Sequence, residues 1–184
     1  SEKYPTEVPV IIAFNKELNC FLMRDSGVPL RQFFQAGFQS EFLYQAIKIY
    51  TAMQLSAIDN LNAFIEIGVP DWRLEKLPEL YRYYIAHEEL LISDGLTPNE
   101  LEKLRQLQSE VTRLCETLSS YKIPATLDHS DFRDNNILID PETQKITIID
   151  LGETVISHPF FSLINCLRDV QWRYGLKETD DTYL

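Results

Sequence analysis

Ile137-Leu138-Ile139 and Ile146-Thr147-Ile148-Ile149 are short β-branched runs joined by the polar stretch Asp140-Pro141-Glu142-Thr143-Gln144-Lys145. Such runs, with turn-forming residues between them, specify a β-hairpin. What constrains the fold is what flanks them. The loop His129-Ser130-Asp131-Phe132-Arg133-Asp134-Asn135-Asn136 leads into the first strand, and Asp150-Leu151-Gly152-Glu153 leaves the second. An antiparallel pair returns the chain to where it began. Asn136 and Asp150, at the two ends of one hairpin, are thereby expected to meet in space. Gly152 is expected to let the backbone turn sharply after Asp150.

The rest of the chain is mostly helical. Residues 8–14 and 18–23 are apolar runs around Asn15-Lys16-Glu17 and read as a first hairpin, ended by Arg24-Asp25-Ser26-Gly27. Residues 28–38 suit a short helix. Ser40 can cap a long one reaching Ile67, with Ala46, Tyr50, Met53, Ala57, Leu61 and Phe64 on one apolar face, stopped by Gly68-Val69-Pro70. Residues 78–92 also read as helix. Thr97-Pro98-Asn99-Glu100 is a capping-box start for a helix carrying Leu101, Leu104, Val111, Leu114 and Leu118. Residues 159–174 form a last helix, and residues 178–181 are expected to be loose.

A length of 184 residues suits one domain. No apolar run is long enough to span a membrane, and the first residues lack the apolar core of a signal peptide, so a cytoplasmic location is expected. Cys20, Cys115 and Cys166 are odd in number and widely spaced, which excludes a disulfide framework. All three sit among apolar neighbours and are expected to be buried. The net charge of -11 argues against binding a nucleic acid polymer. It suits a cationic substrate, or serves solubility alone. His87 and the tyrosines at 81, 83 and 84 are read first as packing or surface residues, with a substrate cleft as the alternative for the tyrosines.

The chemistry sits in the two polar segments around the second hairpin. Phosphoryl transfer requires a carboxylate to orient the attacking alcohol and a cation to neutralise the moving phosphate. Mg²⁺ takes hard oxygen ligands, such as a carboxylate and an amide carbonyl, and fills its remaining positions with water and phosphate oxygens. Asp131 can supply the orienting carboxylate, and Asn136 and Asp150 the metal ligands.

His129-Ser130-Asp131 with Asn136 five residues on, followed by Ile149-Asp150-Leu151-Gly152, resembles the catalytic and metal loops of the aminoglycoside phosphotransferase and choline kinase family. Ser130 stands where bacterial members have glycine. Leu22-Met23-Arg24-Asp25-Ser26-Gly27 looks like that family's interlobe hinge, Gly68 to Arg73 resembles a segment between its helices, and His158-Pro159 falls where it often has Asp-Pro. The resemblance implies an α+β, mostly helical fold: the large, C-terminal lobe of a protein-kinase-like fold. Residues 1–27 would be the end of the small lobe and the hinge, and residues 28–184 the helical lobe. It implies an ATP-dependent small-molecule kinase using Mg²⁺, with an aminoglycoside-like, amino-alcohol or sugar hydroxyl as acceptor. Asp131 would be the catalytic base and Asn136 and Asp150 the magnesium ligands. His129 would brace the loop, and backbone groups of Met23, Arg24 and Asp25 would hold adenine. Arg133 would lie near the transferring phosphate or pair with a carboxylate such as Glu153. Asp134 and Asn135 would shape the loop.

The family's glycine-rich phosphate loop and strand lysine have no counterpart in this sequence, which has no glycine before Gly27. The expectation is therefore a catalytic-lobe fragment that is inactive alone. A non-catalytic binding or regulatory module of the same fold is the alternative reading. A protein kinase is disfavoured, since no Ala-Pro-Glu follows the metal loop.

Overall fold

The computed structural model describes residues 8–177. β1 (Ile11–Asn15) and β2 (Cys20–Met23) form the first hairpin, with Asn15 opposite Cys20 and Ile11 opposite Met23. Every residue of both strands is exposed. Cys20 is among them, so the expected burial of the cysteines holds only for Cys115 and Cys166. Burial pushes the Cys166 thiol up to about 12, as befits an inert packing residue.

Gly27 joins this hairpin to the rest of the molecule. Its φ is +105°, and a Cβ there would lie 2.1 Å from the Ile139 carbonyl oxygen. The chain passes that point as β3 (Val28–Pro29), with Val28 paired to Ile139 and Pro29 to Leu138. The helix expected over 28–38 is thus replaced by a strand, α1 (Leu30–Phe33) and a 3-10 turn at Phe34–Ala36. Sheet pairing takes Val28 and Pro29, and Pro29 already carries an extended ψ of 141°.

Each of the three helices expected next is broken once. α2 (Ser40–Ala57) and α3 (Leu61–Glu66) are separated by a 3-10 turn at Ile58–Asn60. There the Asn60 side chain donates to the Ser56 carbonyl at 3.3 Å, competing with the helix's own bonding. Ser40 is the first helical residue rather than the cap; the cap position is Gln39, whose side chain makes no capping bond. α4 (Leu77–Ile85) and α5 (Glu88–Ser93) part at His87, whose ring nitrogen Nδ1 lies 2.8 Å from the Tyr83 carbonyl oxygen. α6 (Pro98–Gln106) begins with the expected capping box of Thr97 and Glu100, then gives way at Leu107 to α7 (Gln108–Ser120). Leu101 is buried on that stripe, whereas Leu114 is exposed.

The chain then enters β4 (Thr126–His129), the expected hairpin of β5 (Ile137–Ile139) and β6 (Ile146–Ile148), β7 (Thr154–Ser157) and α8 (Phe161–Tyr174). β4 pairs antiparallel with β7, Thr126 opposite Ser157 and His129 opposite Thr154. This pair, unlike the hairpin it encloses, was not expected. The 68–73 segment docks on it: Trp72 N–H donates to Ile156 O at 2.7 Å, and Ile156 N–H to Pro70 O at 2.8 Å. The core lies between α1, α2, β5, β6 and α8, built on Leu30, Phe34, Ala46, Phe132, Ile137 and Ile148. Among the described residues no helix is long and apolar enough to cross a membrane.

A buried polar relay locks α2, β4 and α8 together. His129 N–H donates to the Tyr50 hydroxyl at 2.7 Å, and the Tyr50 and Ser162 hydroxyls are 2.6 Å apart. Ser162 donates to the Asp128 carboxylate, so its single proton is spent and Tyr50 is the donor in the middle bond. Burial pushes the Tyr50 phenol up to about 12 and the Asp128 carboxyl above its ordinary range. Gln54 completes the lock by donating to the Leu127 and Pro159 carbonyls.

Two predictions follow from this packing. Gly27→Ala costs more than about 4 kcal/mol, because overlap with Ile139 adds to backbone strain. Gly68→Ala, with φ +96° and nothing within 4 Å of a new Cβ, costs only about 1–3 kcal/mol. Urea titration of both variants measures the difference, and equal losses would contradict the close approach at Gly27. Tyr50→Phe leaves the buried His129 N–H without its acceptor and lowers stability by about 1–3 kcal/mol, read from thermal unfolding.

Candidate active site

The pairing of β5 and β6 sets the site's geometry. Ile137 lies opposite Ile148. One rung further on, Ile149 N–H donates to the Asn136 carbonyl at 3.0 Å. Asn136 and Asp150 therefore emerge at the same end of one hairpin, as their spacing predicted. The turn after β6 is sharp for a different reason from the one expected. Asp150 itself is left-handed, with φ 61° and ψ 52°, and Gly152 has no positive φ. Asp is one of the few side chains that tolerate this region, and a residue held there is a common mark of a functional turn. Asp150 is exposed, whereas Asn136 is 5% exposed.

His129, 1% exposed, ties the two polar segments together. Its Nε2 lies 2.9 Å from the Ile149 carbonyl oxygen, and its Nδ1 is 3.3 Å from the Asp131 N–H. A carbonyl can only accept and an amide N–H can only donate. The ring is therefore neutral with its proton on Nε2. One imidazole thus fixes the backbone at Asp131 and at the residue before Asp150. Ser130 adds a second tie, donating to the Glu153 carbonyl at 2.8 Å, which gives the serine at the family's glycine position a role here.

The Asp131 carboxylate is half-buried and held from both sides. Asn136 Nδ2 donates to Oδ2 at 2.9 Å and to the Asp131 carbonyl at 2.9 Å. Arg133 Nε sits 2.7 Å from Oδ1. Of the two roles expected for Arg133, pairing with a carboxylate is the one seen, and its partner is Asp131, not Glu153. The Asn136 amide is oriented by the same bonds, and its Oδ1 receives the Asn135 Nδ2 at 3.0 Å.

Among the described residues the Asp134 side chain does not bond its own backbone, the local contact expected of an Asx residue in a loop, but reaches distant side chains. Its carboxylate accepts from Arg31 Nε at 2.8 Å and from the Tyr174 hydroxyl. Arg31 also donates to Asn135 Oδ1 at 2.9 Å and to Asp169 Oδ2 at 3.2 Å. Asp169 is 7% exposed and lies 3.9 Å from Arg133 Nη1 and 3.5 Å from Arg173 Nε. This cluster of Arg31, Asp169 and Tyr174 was missed in the sequence. Its members lie on α1 and α8, far from the loop in the chain, and no local pattern links them.

Met23, Arg24 and Asp25 lie where β2 leaves for Gly27. Arg24 N–H donates to Val10 O at 2.9 Å, its carbonyl accepts from Ser26 Oγ, and Asp25 Oδ1 accepts from Gly27 N–H at 3.0 Å. Because Val28 pairs with Ile139, the chain runs from this segment to the end of β5 opposite Asn136, and the three residues of β5 span about 10 Å.

Two oxygen donors at one end of a hairpin, Asn136 Oδ1 and the Asp150 carboxylate, form a hard but incomplete ligand set. Among the described residues no cluster of three or more His, Cys, Asp or Glu side chains could cage a metal alone. A carboxylate and an amide oxygen are donors that suit a hard cation such as Mg²⁺, which is commonly held by one or two protein oxygens plus water and substrate phosphates.

The fold is shared with solved kinases and phosphotransferases. Against an ethanolamine kinase of Plasmodium vivax the TM-score is 0.64 at 13% identity, covering 96% of this chain and 51% of that one. Against aminoglycoside phosphotransferase APH(3'')-Id of Streptomyces rimosus, solved with ADP and streptomycin, it is 0.56 at 16% identity, covering 96% and 64%. Against the GDP complex of aminoglycoside 2'-phosphotransferase-IIIa it is 0.53 at 16% identity, covering 95% and 62%. The chain thus spans about half to just under two thirds of these structures. No curated protein matches by sequence. The phosphotransferase enzyme family model matches residues 5–182, nearly the whole chain. Its match, together with a kinase-like fold, establishes that this chain belongs to the phosphotransferase enzyme family.

Proposed function

We propose that this chain is the hinge and large lobe of a Mg-ATP-dependent kinase acting on a hydroxyl of a small molecule. The observation that carries the reading is the junction of Asp131, Asn136 and Asp150. The Asn136 amide holds the Asp131 carboxylate while leaving its own oxygen directed elsewhere, and the hairpin delivers Asp150 to the same end.

In this reading Asp131 orients the acceptor hydroxyl and takes its proton. Asn136 and Asp150 hold magnesium, which supplies charge neutralisation at the phosphates. Arg133, already at Asp131, carries positive charge to the place where the phosphate would move. Backbone groups of Met23 and Asp25 hold adenine, with Arg24's N–H already given to Val10. The length of β5, about 10 Å, separates its Ile139 end from Asn136 and suits an extended nucleotide laid along the strand. The acidic surface favours a cationic acceptor of the aminoglycoside or amino-alcohol kind, and the neighbours named for ethanolamine kinase and aminoglycoside phosphotransferase activity support the same class.

The test is an assay with Mg-ATP and a panel of amino alcohols, aminoglycosides and sugars. It is run on this chain and on the longest form of the protein that its gene encodes. Turnover is expected from a form that also supplies a phosphate-covering loop. In that form Asp131→Asn lowers turnover by about 10²–10⁴-fold while Mg-nucleotide binding persists. Full activity in Asp131→Asn would overturn the assignment. Nucleotide binding with no turnover in any form would favour the non-catalytic reading.

A further inference from the structure

The direction in which the Asp131 carboxylate points is set by the two soft dihedrals of its backbone. The peptide unit of the Ser130 carbonyl and the Asp131 N–H stands before its Cα. That of the Asp131 carbonyl and the Phe132 N–H stands after it. Each unit is held by both of its polar groups. After the Cα, Asn136 Nδ2 donates to the Asp131 carbonyl at 2.9 Å, and the Phe132 N–H donates to the His129 carbonyl at 3.0 Å. Before it, the Asp131 N–H donates to His129 Nδ1 at 3.3 Å, and the Ser130 carbonyl accepts from Asn165 Nδ2 at 2.6 Å. A carbonyl only accepts, so the Asn165 atom that faces it is the amide nitrogen.

Three of these four bonds come from the loop itself. The fourth comes from α8, and it is the one that fixes a peptide unit of Asp131 against an element outside the loop. At 2.6 Å against 3.3 Å it is also the tighter of the two holds on the Ser130–Asp131 unit. Asn165 belongs to a polar row on α8. Ser162, Asn165 and Asp169 fall at steps of three and four, on one face of the helix. Ser162 donates to Asp128, Asn165 donates to Ser130, and Asp169 Oδ1 lies 3.9 Å from Arg133 Nη1. Each step along this face meets the catalytic segment further along its own course. A helix of 14 residues thereby backs a loop that has no regular structure of its own.

We infer that Asn165 is a positioning residue for Asp131. Through the Ser130 carbonyl it fixes the tilt of the peptide plane next to the Asp131 Cα, and so the direction in which the carboxylate meets an acceptor hydroxyl. The inference rests on the phosphoryl-transfer reading for what Asp131 does.

Two measurements on this chain and one on a form that turns over test it. In the unaltered isotope-labelled protein, a through-bond coupling joins Asn165 Nδ2 to the Ser130 carbonyl carbon. Its absence would overturn the inference, and no variant has to fold for that result. Asn165→Leu, similar in shape but without a donor, changes the HN–Hα coupling of Asp131, which reports φ, and leaves the amide shifts of α4 to α7 in place. An unchanged Asp131 coupling would equally overturn it. In a form that turns over, Asn165→Leu lowers kcat by about 10–10²-fold and leaves KM for Mg-ATP and for the acceptor within about twofold. General loosening of the fold does not produce that split. An unchanged kcat, where Asp131→Asn cripples turnover, sinks this inference and spares the kinase reading. Full activity in Asp131→Asn sinks both.

Discussion

One imidazole carries the organisation of this site. His129 takes the Asp131 N–H on one nitrogen and gives its proton to the Ile149 carbonyl on the other. The two bonds have opposite polarity, so a neutral ring with one protonation pattern satisfies both. Asp131 and Asp150 stand at the ends of these two bonded segments. Their relative placement therefore depends on a buried side chain that touches neither carboxylate. His129 in turn hangs from Tyr50 through its own N–H, and Tyr50 from Ser162 and Asp128. The chain of bonds runs from the loop to the middle of α2 and the start of α8, rigid elements that carry the site at fixed distances.

A second set of constraints holds the segment from Gly27 to Arg31. Gly27 lets the backbone pass so close to Ile139 that a methyl group would not fit. Arg31, four residues later, reaches across to Asp134, Asn135 and Asp169. The segment from Gly27 to Arg31 is thus held at two points, by shape against Ile139 on β5 and by charge against the loop at Asp134. Both strands of the first hairpin are exposed throughout. A two-stranded ribbon exposed on both faces has little intrinsic stability of its own.

Much of this was legible in the sequence because it is local. The hairpin between Asn136 and Asp150 followed from two β-branched runs and a polar turn, and Thr97 with Glu100 spelled out a helix start. What was not legible depends on partners far along the chain. β4 reads as polar, Thr126-Leu127-Asp128-His129, because its buried polar groups bond Gln54, Ser162 and Tyr50. The β-branched run Thr154-Val155-Ile156 could have signalled β7, but nothing local in it named β4 as its partner. The break in the long helix turned on one side chain: Asn60 bonds the Ser56 carbonyl and interrupts an otherwise regular pattern. The turn at Asp150 misled in a different way, since the nearby glycine drew the expectation while the aspartate took the strained angles. Arg31, Asp169 and Tyr174 had no signal at all, their roles arising only when α1 and α8 close on the loop.

The protonation state of His129 tests the account most directly. Nitrogen NMR on the ¹⁵N-labelled protein at neutral pH reads the two ring nitrogens separately, and a through-bond coupling identifies the acceptor. The account predicts a proton on Nε2, a bare Nδ1 and a coupling from Nε2 to the Ile149 carbonyl carbon. A proton on Nδ1, or on both nitrogens, would contradict it, because the Asp131 N–H would then have no acceptor and the two segments no shared brace.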